Sequence, residues 1–337
     1  MMRPLNYVVL LVAIISGPAY GWNDTGHRLV ALIAWEQLPQ DSRDRIVETL
    51  RSHPRFAQDF DLPTNLTSAS GETRDRWRFA HAATWPDRTR GLTGDERKTY
   101  HHGTWHWINV PFFLTDADRQ ELEADLPTNL EMAWDPASDE ARALNVVQAI
   151  ARARHVLSQK SASSSEKALS LCWLFHTVGD IHQPLHSTAL FTSKRFRRGD
   201  AGGNGIMIEG AEDLHAVWDD LEPDVATLSE HDEIIKRYRE NGPAVRKAIV
   251  GARTLDTVNW LDESHDLARE VVYNDLILNT VAANEAIYNT TKSYRDQPSL
   301  PEVELSDHYQ ERAKRIAIRR LVLAGHRLAA ILNEAGF

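Results

Sequence analysis

The chain of 337 residues holds a single cysteine, Cys172. No disulfide can close within it, so its stability must come from core packing or from bound metal rather than from covalent staples. It also lacks a surplus of positive charge: 38 Lys and Arg face 48 Asp and Glu, a net charge of −10. A chain of that balance does not attract a polyanion through a general basic field. If it handles phosphate esters, the positive charge must be local, and divalent metal would supply it. No apolar run approaches the ~20 residues that a membrane-spanning helix needs. The nearest is Tyr7-Val8-Val9-Leu10-Leu11-Val12-Ala13-Ile14-Ile15. It follows a short basic start and ends in small residues at Ala19-Tyr20-Gly21, the pattern of a signal peptide over residues 1–21. Cleavage after Gly21 would leave Trp22 first in a secreted or periplasmic protein with no membrane attachment. Proline-, glycine- or serine-rich linkers and internal repeats are missing too, which favours one domain over residues 22–337.

Strand-like alternation is scarce; short pairs at 105–110 and 206–208 are the best candidates. What the sequence does have is helical rhythm. Helices are expected over 27–38 and 141–157, and from the capping box at Ser163-Ser164-Ser165-Glu166 to about Asp180. Further helices are expected over 231–250, 254–279, 280–294 and 307–333, with loops at 52–76, 113–136, 191–204 and 295–306. The expected fold is all-α. Arg195, Arg197 and Arg198 fall in the third loop, where a solvated role is the simpler reading and phosphate contact the sharper one. Trp35, Trp77 and Trp260 read as core.

Histidine and aspartate recur where a helix would bring them to one face. In His176-Thr-Val-Gly-Asp180-Ile-His182-Gln-Pro-Leu-His186 the first His and Asp are four apart, a ready pair of metal ligands. Pro184 ends the helix and lets His186 turn toward a different ion. His215-Ala-Val-Trp-Asp219 repeats the four-residue spacing, while Asp87 (in Trp85-Pro86-Asp87) and His106 (in Trp105-His106-Trp107) are dispersed. A single such pair is common on solvated helix surfaces. Two pairs with a histidine-rich elbow point to metal.

In chain order, Trp22-Asn-Asp-Thr-Gly-His27, Trp85-Pro-Asp87, His176-x-x-x-Asp180-x-His-Gln-Pro-Leu-His186, Gly202-Gly203-Asn204 and His215-x-x-x-Asp219 resemble the motifs of the zinc-dependent single-strand nucleases of the S-one/P-one type. Trp260-Leu-Asp-Glu-Ser264 resembles a later helical segment of that family. The resemblance implies a single-domain, multi-helix fold shared with zinc phospholipases C. The phospholipases generally end the last pair in Glu; Asp219 and the Gly-Gly-Asn loop favour the nuclease branch, with a zinc phospholipase C as the alternative. A helical binding protein that keeps zinc only for stability is a further reading.

Carried over by position, the resemblance implies three zinc ions. Asp87, His106, His176 and Asp180 would hold the first, and His186, His215 and Asp219 the second. Trp22, through its α-amine and carbonyl, would hold the third with His27 and a shared Asp180. An α-amine with a pKa near 8 readily yields its proton to a metal. His182 matches no ligand and is expected to orient a carboxylate. Arg90 matches the basic residue placed against the scissile phosphate, and Asp87 and Arg90 are the expected catalytic pair. Trp107 would stack on a base, with Asn109 (where the family usually has Asp) and Asn204 as polar contacts. The implied substrates are single-stranded DNA and RNA, cut to 5′-phosphorylated products, and mononucleotide 3′-phosphates; no stable protein partner is implied. The 27–87 interval is longer than usual in the family, which leaves the rim of the pocket undefined.

Overall fold

Helix dominates because long amphipathic or wholly apolar stretches are mostly opened by a capping side chain, as at Asn23, Ser70, Asn145, Ser163, Asp256 and Ser306. The computed structural model describes residues 22–137, 143–240 and 249–337. The expected signal peptide, the start of the helix expected from 141, and positions 241–248 of the helix expected over 231–250 lie outside the described residues. The centre of the fold is the Ser164–Asp180 helix. Ser163 caps it by accepting from the Glu166 N–H, and the Glu166 carboxylate accepts from the Ser163 N–H, the reciprocal box expected from the sequence. Every residue from Ser170 to Asp180 is buried, so the second half of this helix is surrounded by protein on all sides.

Around it pack Val146–Ser158, itself opened by a capping box at Asn145 and Gln148, and the long C-terminal helix Asp307–Glu334. Asp24–Gln37 runs between the central and C-terminal helices and also meets Gly71–Ala82. These surfaces share one apolar core, in which Trp35 and Trp260 are buried as expected. Trp77 is only half-buried and stacks on His81 at 4.5 Å.

Several expectations need correction. The 52–76 interval is not a loop throughout: it contains Phe56–Asp59 and the start of Gly71–Ala82. The 113–136 interval holds the seven-residue helix Asp116–Leu122, capped by Thr115. Instead of one helix over 254–279 and another over 280–294, Thr257–Leu267 passes into a wider turn at Ala268–Val272. A new helix then starts at Asp275, where Asn274 accepts from the Ile277 N–H.

The strand pair also lies elsewhere. Gly103–His106 is a 3₁₀ turn, and β1 (Val110–Phe113) pairs in parallel with β2 (Thr188–Phe191). β2 is wholly buried and β1 (Val-Pro-Phe-Phe) is apolar at all four positions, so neither strand shows a polar alternation. The 206–208 candidate contributes one bridge, Ile208 to Val303. The pair matters for what precedes it. β1 follows His106 and β2 follows His186, and the Ile108 N–H donates to the His186 carbonyl at 2.8 Å.

Candidate metal centre

Nine residues were expected to bind metal, and the eight of them that are His or Asp are all buried and form three groups, two of which share His176. These are His27, Asp87 and His176; His106, His176 and Asp180; and His186, His215 and Asp219. Asp180, the last residue of the central helix, is the hub. Its carboxylate lies 3.2 Å from His106 Nδ1, 3.2 Å from His176 Nε2, 3.5 Å from His27 Nε2 and 3.5 Å from His186 Nδ1. Asp87 Oδ2 is 3.8 Å from His176 Nε2. His215 Nε2 and Asp219 Oδ2 are 3.3 Å apart on one helix face, as the four-residue spacing predicts.

The backbone decides which nitrogen of three imidazoles carries hydrogen. Nδ1 of His176 is 2.7 Å from the Ala83 carbonyl, Nδ1 of His186 is 2.6 Å from that of His106, and Nδ1 of His215 is 2.6 Å from that of Gly202. A carbonyl only accepts, so each Nδ1 donates and each neutral ring keeps its lone pair on Nε2. These lone pairs converge: His186 Nε2 and His215 Nε2 stand 3.1 Å apart. Two lone pairs at that distance repel unless a cation lies between them. Both ring nitrogens of His27 and one oxygen of Asp180 are buried without a hydrogen bond, a cost a metal ion would remove. The donor set of imidazoles and carboxylates suits zinc chemically.

Electrostatics carries the same mark. Burial pushes the Asp219 carboxyl well above the usual carboxylate range, against the hydrogen bond from Gln183. Burial alone would lower His176, but Asp180 and Asp87 raise it to about 9. Burial and His176 lower His27 to about 3. Side chains so displaced in both directions within one cluster are typical of a functional site.

Trp22 is buried, and its indole N–H donates at 3.1 Å to the carbonyl of Gly179, the residue before Asp180. Arg90 Nη2 lies 2.9 Å from Asp87 Oδ1. Arg90, Trp107, Asn109 and Asn204 line one cavity of about 450 Å³ with His186 and His215. The Asn204 amide donates to the Ala201 carbonyl at 2.6 Å. No residue of the 28–86 interval lines this cavity; its helical apolar residues pack into the core, and 61–72 lies largely exposed at the surface.

His182 departs from expectation. It orients no carboxylate of the cluster: its Nδ1–H donates to Val178 O at 2.7 Å, and its Nε2 accepts from Arg327 at 2.7 Å. Arg327 and Arg320 pair with Glu263, and the Ser264 hydroxyl donates to Ile181 O at 2.5 Å. The Trp260–Ser264 segment therefore braces the elbow between Asp180 and His186.

Two supporting residues were missed. Gln183 donates to Asp219 Oδ1 at 2.7 Å while its carbonyl accepts from the Leu185 N–H. Its place inside the His-Gln-Pro-Leu-His run was the available signal. Gly202 has φ +64°, and a Cβ there would stand 2.4 Å from the Leu185 carbonyl. Only glycine lets this turn present its carbonyl to His215.

A mostly helical fold around a buried, metal-ready cluster of His and Asp, open to an arginine- and tryptophan-lined pocket, defines a metal-dependent hydrolase class. The S1/P1 Nuclease family profile matches residues 22–336, and the chain belongs to that family, whose members hydrolyse phosphodiester bonds. It is 24% identical to Nuclease S1 of Aspergillus oryzae over 98% of this chain and 96% of that protein. It is 26% identical to Endonuclease 4 of Arabidopsis thaliana over 97% and 93%. With Nuclease P1 of Penicillium citrinum it shares 29% identity over 42% of this chain and 51% of that protein.

Proposed function

We propose that this protein is a zinc-dependent endonuclease that cuts single-stranded DNA and RNA to 5′-phosphorylated products and also removes 3′-phosphates from mononucleotides. The observation that carries this reading is the convergence of fixed imidazole lone pairs on Asp180 and Asp219 at the floor of a pocket that also presents Arg90 and Trp107.

Asp87, His106, His176 and Asp180 would hold one zinc, and His186, His215 and Asp219 a second. Trp22, His27 and the shared Asp180 would hold a third, through the α-amine that exists once the leader is removed after Gly21. Export to the periplasm or outside the cell is part of the same reading. Zinc bound there supplies Lewis acidity and lowers the pKa of water toward neutrality, so no side-chain nucleophile is required. Arg90, steadied by Asp87, meets a phosphate oxygen. Trp107 takes an unstacked base on its face, and Asn109 and Asn204 reach the base edge. A base already free of a duplex meets no unstacking cost, which accounts for the single-strand preference.

The test uses protein exported with its own leader, with the N-terminus sequenced and metal counted by mass spectrometry. Three zinc ions, a first residue of Trp22, and cleavage of single-stranded DNA that chelator abolishes and zinc restores are the expected results. Undiminished cleavage in chelator, or turnover of phosphatidylcholine without release of nucleotides, would overturn the reading.

A further inference from the structure

The metal pocket does not end at Trp107. Beyond it lies a second groove of about 790 Å³ that shares Trp107, Asn109, Ala201 and Arg295 with the first. One wall is the loop after β2, residues 195–199, and the other is the segment 290–295. Five cationic side chains line it (Arg195, Arg197, Arg198, Lys292 and Arg295) against two acidic ones, Glu121 and Asp125. That local excess of three positive charges stands in a chain whose net charge is −10. A cationic groove in an acidic protein, continuous with the pocket of a nuclease, calls for a polyanion.

The five cations do not do the same work. Arg195 is buried; it donates to the Pro298 carbonyl at 2.6 Å and lies 4.3 Å over the Tyr288 ring, so it ties the two walls together. Arg197 is engaged by Glu121. Arg198 and Lys292 are exposed and form no ion pair with the described residues. Arg295 is exposed too, and its guanidinium rests 5.7 Å over the half-buried Tyr294 ring. The groove therefore offers what a flexible strand needs: exposed cations for phosphates beside an aromatic face for a base.

We infer that this groove holds the part of a single-stranded nucleic acid that extends beyond the nucleotide on Trp107, with Arg198 and Lys292 on backbone phosphates and Tyr294 against a base. The inference rests on the nuclease reading and adds to it a dependence on substrate length. A dinucleotide reaches only the metal pocket, whereas a longer strand also fills the groove.

The experiment compares the protein with its Arg198→Gln/Lys292→Gln double variant on a dinucleotide and on a single-stranded oligonucleotide of twenty bases, across a salt series. Both positions are exposed, and unchanged thermal unfolding of the variant checks that it folds. Each lost phosphate contact should make the slope of log binding against log salt shallower by about 0.7, so two give about 1.4, or roughly 20-fold in KM at 0.1 M salt. That loss should appear on the long strand, with the dinucleotide changed less than about twofold. Equal losses on both lengths, or no loss on the long one, would overturn the groove assignment. Failure of the unmodified, zinc-loaded protein to cut either substrate would instead overturn the nuclease reading.

Discussion

The floor and the rim of this site are built by opposite means. On the floor every metal-ready His and Asp is buried, and backbone carbonyls of Ala83, His106 and Gly202 fix the three Nε2 lone pairs. On the rim Trp107, Asn109 and Asn204 are half-buried, and Arg198, Lys292 and Arg295 are exposed. Groups locked by main-chain contacts cannot drift without disturbing the core, so the chemistry is set by the fold. Groups held by little else can change with small cost to stability. On the proposed reading, the floor carries the cutting of phosphodiesters and the rim the choice of strands.

The sharpest way to break that division is to loosen the floor without touching a ligand. Gln183→Leu keeps the volume but removes the donor to Asp219 Oδ1. Loss of a partner that orients a metal ligand typically costs about 10–100-fold in affinity or activity. We expect kcat to fall in that range together with zinc content, while KM for a dinucleotide barely moves. Full zinc and full kcat in the variant would mean that the ligands position themselves, and the contrast with the rim would collapse. Trp107→Ala is the matching experiment on the rim. Stacking is worth about 1–3 kcal/mol per base, or roughly 5- to 150-fold in KM. Zinc content should stay whole, and kcat should change less than KM. A loss of metal in this variant would show that the rim supports the floor.

The floor was also the more legible region in the sequence. The spacings of His176 with Asp180 and of His215 with Asp219 are short and helical, so they carry three-dimensional information locally, and Pro184 announces the elbow. The capping box at Ser163 set the start of the central helix to the residue. What stayed hidden depends on contacts distant in sequence. β1 and β2 are four residues each, the first all apolar and the second wholly buried, so no alternation marked them, yet their pairing brings His106 to His186. Helical periodicity ran on through Leu267, and only the Ala268–Val272 turn and the Asn274 cap broke the helix. His182 looked like a helper of the cluster because it sits among the ligands. Its partner, Arg327, is 145 positions away on the C-terminal helix, and nothing local points there. The groove walls at 195–199 and 290–295 meet where Phe196 packs edge-on against Tyr294, and Arg195, which the sequence offered as an ordinary loop cation, ties its loop to Tyr288 and Pro298 on either side of the second wall.

Between floor and rim sits Asp200, and it yields the smallest effect, one of stability rather than rate. Its carboxylate accepts from the Leu190 N–H at 2.9 Å and from the Tyr273 hydroxyl at 2.8 Å, directly after the rim loop and before the Gly202 turn that fixes His215. Burial raises its pKa from 3.8 to about 6, against those hydrogen bonds. A carboxyl raised on folding binds its proton more tightly in the native state, so its contribution to stability is full below pH ~4 and is lost as pH rises through ~6. That rise from 3.8 to about 6 corresponds to at most roughly 3 kcal/mol across that window. Asp200→Asn keeps the shape and removes the titration. The expected result is that denaturant unfolding of the unmodified protein, relative to the variant, loses stability between pH 4 and pH 7. A constant difference across that range would mean that Asp200 folds ionised, held by the Gly202–Gly203 amides. The turn beneath His215 would then belong to the charge-bearing floor and not to the neutral seam between the two regions.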